Sequence, residues 1–308
     1  MDDGSTFPCA CGGGPVTPGG KQGRRGWFGP AASFLLVVLS PVPVAAAAAQ
    51  TLDALIRQHD AAACEACHAQ IHAEWSKSFH GRSVVHSLGS LRAFVEALEK
   101  ERKAPTDKTQ MLKCLDCHAP MVNDASEAVV REIVALVKTA MDEKDEAKRR
   151  AARDRLAPLN VGCTGCHTVK ATANPLQSPD PQVRYGPKAG TAPHPVQASP
   201  VMTSSVFCSQ CHALWYAKDG EYLYCTTIFE SHQNTYRGMG GTQSCQDCHM
   251  KGRGHTFPGA HDQALVREGL TLGMETVGYR RAVGGKFVPQ AVVTVDVGNQ
   301  AGHRIPDG

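Results

Sequence analysis

One pentapeptide pattern constrains this 308-residue chain more than any other feature: Cys-x-x-Cys-His occurs five times. The copies run Cys64 to His68, Cys114 to His118, Cys163 to His167, Cys208 to His212 and Cys245 to His249, with first cysteines 50, 49, 45 and 37 residues apart. Two thiols three positions apart can form thioethers to the two vinyl groups of one porphyrin, and the histidine directly after the second thiol reaches the iron as proximal ligand. A lone Cys-x-x-Cys could equally be a redox disulfide or half of a zinc site. Zinc sites pair two doublets at shorter separations and need no histidine after each second cysteine, whereas all five doublets here carry one. The pattern therefore predicts five covalently bound c-type haems. Cys64, Cys67, Cys114, Cys117, Cys163, Cys166, Cys208, Cys211, Cys245 and Cys248 are the attachment points, and His68, His118, His167, His212 and His249 the proximal ligands.

Five porphyrins change what the chain must supply as a core. Aromatic residues are 6% of the sequence, and glycine and proline number 30 and 19, which is poor material for one large side-chain interior. Flat apolar cofactors fill that role, so haem binding is part of the folding free energy and the apo chain should hardly fold. The expected fold is mainly α with long irregular loops, packed around the haems, with a short β segment near the C-terminus. Residues 90–102 read as one helix, with Leu91, Phe94, Val95 and Leu98 on one face. Residues 126–156 read as the longest helix, capped by Ser126 and ended by Pro158. Residues 171–200, rich in proline and glycine, read as a loop. The β-branched run at 291–297 reads as the first strand of a second, β domain or as a strand that pairs elsewhere.

Residues 1–49 have the layout of a secretory signal peptide. Lys21, Arg24 and Arg25 precede an apolar run at 31–39, and Ala47-Ala48-Ala49 before Gln50 forms a small-residue cleavage site. The run is short and proline-interrupted for a membrane span, with an uncleaved anchor as the alternative. This organisation predicts export to the periplasm or cell surface, with a pentahaem domain over 50–262 and a linker plus the start of a β domain over 263–308. The formal charge of +3 comes without any Lys/Arg run that would suggest nucleic acid. Ten of 13 cysteines belong to the motifs and Cys9 and Cys11 to the leader, which leaves Cys225 as a small packing residue.

Nine histidines are not proximal, and five irons need at most five of them. His80, past Trp75 on the same helix as the first motif, points to a neighbouring haem. His194 is held between Pro193 and Pro195, His255 follows His249 across Gly252 and Gly254, and His303 stands beside the β segment. These four lead as distal ligands, with His232 and His59 behind them. His72, His86 and His261 fit ordinary roles better, and Met121 and Met250 follow their own proximal histidines too closely to cross the ring.

The chain resembles the multihaem cytochromes c related to the tetrahaem cytochrome of ammonia oxidisers and to hydroxylamine oxidoreductase. The resemblance covers residues 63–262. It rests on the first motif followed by Trp75-x-x-Ser78-x-His80, on Cys117-His118-Ala119-Pro120, and on Tyr185-Gly186-Pro187 with His194. Phe207 before the fourth motif, and Met250 with His255-Thr256-Phe257-Pro258-Gly259 after the fifth, complete it. Gly302-His303-x-x-Pro306 is similar to the entry of the β domain in longer members. The resemblance implies that His80, His194 and His255 are distal ligands in a bis-histidine set, with closely packed haem pairs. The fifth motif and the β segment depart from the four-haem relatives. Glu230-Ser231-His232 stands where many longer members have Glu-Trp, which raises His232 as a ligand particular to this chain.

Three functions remain in play. The first is an electron carrier whose partners are other cytochromes or quinol-oxidising or terminal reductase complexes. The second is a haem enzyme with one open iron, best placed at His118, acting on hydroxylamine, nitric oxide or a nitrogen or sulfur oxyanion. The third is a structural subunit of a respiratory complex or of an extracellular cytochrome filament. Electron transfer is common to all three and is the function the sequence favours over catalysis, and bis-histidine ligation favours low potentials over His/Met ligation.

Overall fold

The structure, a computed structural model, describes residues 48–174, 179–213, 215–216, 222–223 and 225–307. The expected leader, with Cys9 and Cys11, lies outside the described residues except for Ala48 and Ala49. Ala49 bridges Ala125 and leads into α1 (Leu52–Gln58), whose first turn is capped by Thr51. Then follow α2 (Ala62–Lys77), α3 (Ser83–His86), α4 (Leu88–Arg102), α5 (Lys108–His118), α6 (Glu127–Asp142) and α7 (Glu146–Leu156).

A side-chain core fills this first half. The apolar stripe of α6 buries Val129, Val130, Ile133, Val134, Val137 and Ala140. It joins one buried cluster with Leu88, Leu91 and Val95 of α4, Met111 and Leu115 of α5, and Leu52 and Leu55 of α1. At roughly 1.5–3 kcal/mol for each large apolar side chain buried, this cluster stabilises the helices independently of any cofactor. This side-chain core departs from the expectation that the interior would be largely cofactor. Met121 is fully buried in this core, in the packing role expected of it.

The expected long helix at 126–156 is two helices. Ser126 caps α6 as anticipated, but Glu143 is extended and Asp145 starts α7 by accepting the N–H groups of Ala147 and Lys148 at 2.8 and 3.3 Å. The turn lets α7 pack back on α6 and bury Ala152 and Leu156, which a straight helix could not do. Pro158 follows in a 3₁₀ turn.

Beyond residue 160, Val161, Ala171 and Tyr185 are the buried hydrophobic side chains among the described residues. The loop at 171–200 carries a short parallel ladder, β1 (Arg184–Gly186) with β2 (Val196–Ala198). Next come α8 (Ser205–His212), the backbone pair β3 (Trp215–Tyr216) and β4 (Tyr222–Leu223), α9 (Ile228–Ser231), α10 (Cys245–His249) and α11 (Gln263–Gly269). The run at 291–297 lies within β6 (Lys286–Asn299), which pairs antiparallel with β5 (Leu270–Val283), a strand the sequence pattern did not announce. Gly284 and Gly285, both at positive φ, make the two-residue turn. That conformation costs glycine little. Alternation along this ribbon puts Leu272, Met274, Phe287, Val293, Val295 and Val297 on one exposed face, and Val277, Tyr279, Val283, Val288 and Val292 on the other among Glu275, Arg281, Gln290 and Asp296.

Candidate functional site

Each Cys-x-x-Cys-His copy occupies a helical turn, and in four of them the histidine stands where regular helix stops. Helices α5, α8 and α10 end at His118, His212 and His249, and α2 is broken at His68 (φ −119°, ψ 38°). The third copy forms a π-helical turn, Gly165–Val169. Caps fix where these turns begin: Asp107 for α5, Ser204 for α8, and a reciprocal Ser244–Asp247 capping box for α10.

The proximal rings are oriented by main-chain and hydroxyl partners. Nδ1 of His167 lies 2.7 Å from the Tyr185 carbonyl, and Nδ1 of His249 lies 2.8 Å from that of Pro258. Nδ1 of His118 is 2.9 Å from Ser87 Oγ and 3.3 Å from the Ser83 carbonyl. An Nδ1–H held this way fixes the tautomer and leaves Nε2 as the ligating nitrogen, the usual arrangement of metal-bound imidazole.

Three other histidines face proximal ones. His80 lies opposite His212 with ring centroids 6.1 Å apart, His255 opposite His167 at 6.3 Å, and His303 opposite His249 at 6.2 Å. The first pair is nearly perpendicular, and the other two are inclined by 29° and 23°. Two imidazoles bound to opposite sides of one metal, with bonds of about 2.0 Å, put their centroids about 6.3 Å apart. His303 also has its Nδ1 tied, 2.8 Å from the Arg304 carbonyl.

Burial lowers the His80 pKa to about 4, with His212 alongside adding to the shift, and burial lowers His212, His249 and His255 as well. These rings are neutral at pH 7, the protonation state that binds metal.

Burial pushes Cys114 and Cys163 up to about 12 and Cys166 to about 11, whereas the hydrogen bond with Cys208 brings Cys245 down to about 6. All are free thiols: Cys163 is hydrogen-bonded with Cys64, Cys117 with Cys211 and Cys208 with Cys245, and Cys166 lies near Cys208. The motifs therefore lie side by side as first with third, second with fourth, third with fourth, and fourth with fifth. Among the described residues no three of His, Cys, Asp and Glu converge as an all-protein metal site would require. Two opposed imidazoles with no third ligand suit a metal whose remaining positions a macrocycle fills. The residues present thus fit covalent haem.

The other expected ligands are placed differently. His59 is buried, with Nδ1 3.0 Å from Thr164 Oγ1 and Nε2 3.0 Å from Asp124, off the direction of a good hydrogen bond. His232 stacks on Tyr236, and its Nε2 and Nδ1 engage the Gln243 carbonyl and the Gln233 amide. As arranged, neither ring has a nitrogen turned to open space. His194 is exposed, Nδ1 3.3 Å from the Pro195 carbonyl. His72 lies against Glu65 and Trp75, and Phe79 contacts both His86 and His261. Among the described residues no second imidazole ring faces His68 or His118 in the way these three pairs face each other. Cys225 is exposed beside Cys114 and Cys117 instead of filling a core position.

Sequence reasoning missed the groups that hold the ligand segments. Trp75 Nε1 donates to the Val161 carbonyl at 2.8 Å, joining α2 to the approach of the third motif. Asp307 binds the Thr227 N–H at 2.7 Å and both hydroxyls of Thr226 and Thr227, and Arg304 N–H donates to Ser231 Oγ at 2.7 Å, which anchors the His303 segment. None of these carries a local sequence signal, because each partner is remote along the chain.

Residues 63–143, with the first two motifs, match the family model for cytochrome c554 and c-prime. No curated protein and no solved structure matches the chain. Among the described residues no helix is long and apolar enough to cross a membrane. The family match supports a multihaem c-type cytochrome with covalently bound haem and a role in electron transfer.

Proposed function

We propose that the chain is an exported electron relay with five haems c, three of them closed on both faces by the pairs His80/His212, His255/His167 and His303/His249. The single observation behind this reading is that these pairs repeat one separation, 6.1–6.3 Å, in three places built from different elements. The thiol contacts support a row running first, third, fourth, fifth motif, with the second as a spur on the fourth. With both axial positions taken by imidazole, no substrate reaches those irons, and the chemistry they supply is outer-sphere electron transfer at low potential. The redox partners belong to the class of other cytochromes and membrane oxidoreductase complexes. His194, on the loop tied by β1 and β2 beside the third motif, is the distal ligand we assign to one of the two remaining irons. His59 and His232 have structural roles. The ribbon β5–β6 belongs to a separate β module.

A second reading has its own observation. His118 is oriented by Ser87 and Ser83 like a ligand, yet faces no second ring among the described residues, which suits an open iron acting on hydroxylamine, nitric oxide or a small oxyanion. Low-temperature EPR of the oxidised protein separates the two. Low-spin signals alone support a pure relay, whereas a high-spin ferric signal that changes on adding nitric oxide supports the enzyme. His80→Ala should convert one haem to high-spin while all covalent haem is retained. An unchanged spectrum overturns the His80/His212 assignment.

A further inference from the structure

Helix α2 carries the first motif, but its second half faces the segment that follows the fifth. Glu74 Oε2 accepts the backbone N–H of His255 at 2.9 Å, and Oε1 accepts from Gln70 Nε2, one turn earlier, at 3.0 Å. The approach is close: Gly254 has φ +59°, and a Cβ added there would fall 2.0 Å from Glu74 Oε2. Glycine at 254 adopts this left-handed backbone without strain and leaves room for the Glu74 carboxylate beside it. A glutamate carboxylate carries a negative charge at pH 7, and these two hydrogen bonds hold it against the His255 segment. The ring of His255 in turn faces His167 at 6.3 Å.

We propose that Glu74 is a positioning residue for the third site. It fixes the backbone from which His255 projects toward the metal of His167, and it leaves a negative charge beside that ligand. The charge favours the oxidised, more positive state of this one centre and so lowers its potential relative to a neutral neighbour. The inference rests on His255 being a ligand, and it adds a contact from the helix of the first motif to the ligand set of the third.

Three variants of the holoprotein test it by EPR and spectroelectrochemical titration. His255→Ala is the reference and should give one high-spin haem. Glu74→Ala removes both anchor and charge and should also give a high-spin signal from one haem. Glu74→Gln keeps an acceptor for the His255 N–H, so that haem should stay low-spin while its midpoint potential moves upward. If His255→Ala gives the high-spin haem but both Glu74 variants match wild type in spin state and potential, Glu74 has no such role. If His255→Ala itself leaves the spectrum unchanged, the ligand assignment fails with it. Should Glu74→Ala fail to assemble, the potential of Glu74→Gln decides alone.

Discussion

The two halves of this protein fill their interiors by different means. From α4 to α7 the packing is ordinary: an amphipathic helix with Ile133 and Val137 at its centre, closed by Leu91, Val95, Met111 and Leu115. In α10 no side chain is buried and in α8 only Ser205 is, and α2, although it lies in the first half, also buries none. Yet these latter helices carry three of the five motifs and hold sulfurs and imidazoles at repeated short separations. A helix with no buried face gains nothing from folding on its own, since most helical stability comes from packing an apolar face. The contrast teaches that the first half can fold first and present α5, with its motif, from a stable frame. On the proposed reading, the segments carrying the other motifs take shape around the haems attached to them.

The largest effect that could break this contrast comes from withholding haem. In the chain made without haem attachment, hydrogen exchange should show α8 and α10 unprotected, while α6 keeps protected amides. Equal protection in both regions would show that side chains alone hold the second half. Next in size is Ile133→Ala, which opens a cavity in the first half and should cost about 2–5 kcal/mol. Denaturant unfolding should show that loss while the haem spectrum of the folded protein stays as in wild type. A spectral change would mean that the side-chain core and the metal sites are not separable.

What could be read from the sequence divides along the same line. The stripe Val129, Val130, Ile133, Val134, Val137 and the Ser126 cap were legible because their partners sit within one or two helical turns, where periodicity operates. The break at Glu143 was not, because charged residues fit an exposed helix equally well, and only the return of α7 onto α6 selects the turn. Strand β5 escaped notice because its apolar residues are interrupted by Gly273, Glu275, Gly278 and two arginines, and the strand is recognisable through its pairing with β6. At the metal sites, Cys-x-x-Cys-His is local and therefore readable. The facing histidines are not: His80 and His212 belong to distant parts of the chain, with two other motifs between them, and nothing near either names the other. His232 and His59 were plausible by type, and hydrogen bonds to Gln243, Gln233 and Thr164, which only the fold supplies, occupy them.

The smallest expected effect belongs to the first half and concerns pH. Lys138 Nζ lies 2.8 and 2.6 Å from the two oxygens of Glu99, joining α6 to α4 at the edge of the core. That bond, and the nearby charge of Lys138, hold the Glu99 carboxyl below its usual range against a smaller opposing effect of burial. In the unfolded chain Glu99 takes up its proton near the ordinary value of about 4.3. In the folded chain it does so only at lower pH. The unfolded state therefore binds more protons in the interval between, and stability falls as pH falls through it. The contribution is fully present above the unfolded value and is gone once pH is below the folded one. Both partners are partly exposed, so solvent screens the pair. The loss should therefore be no more than about 1 kcal/mol. Comparing wild type with Glu99→Gln by denaturant unfolding at neutral and acid pH isolates it. The two should differ at pH 7 and converge as pH falls below the ordinary carboxylate range, with identical haem spectra throughout. A difference that persists at low pH would assign the stabilisation to packing of the Glu99 stem instead of its charge.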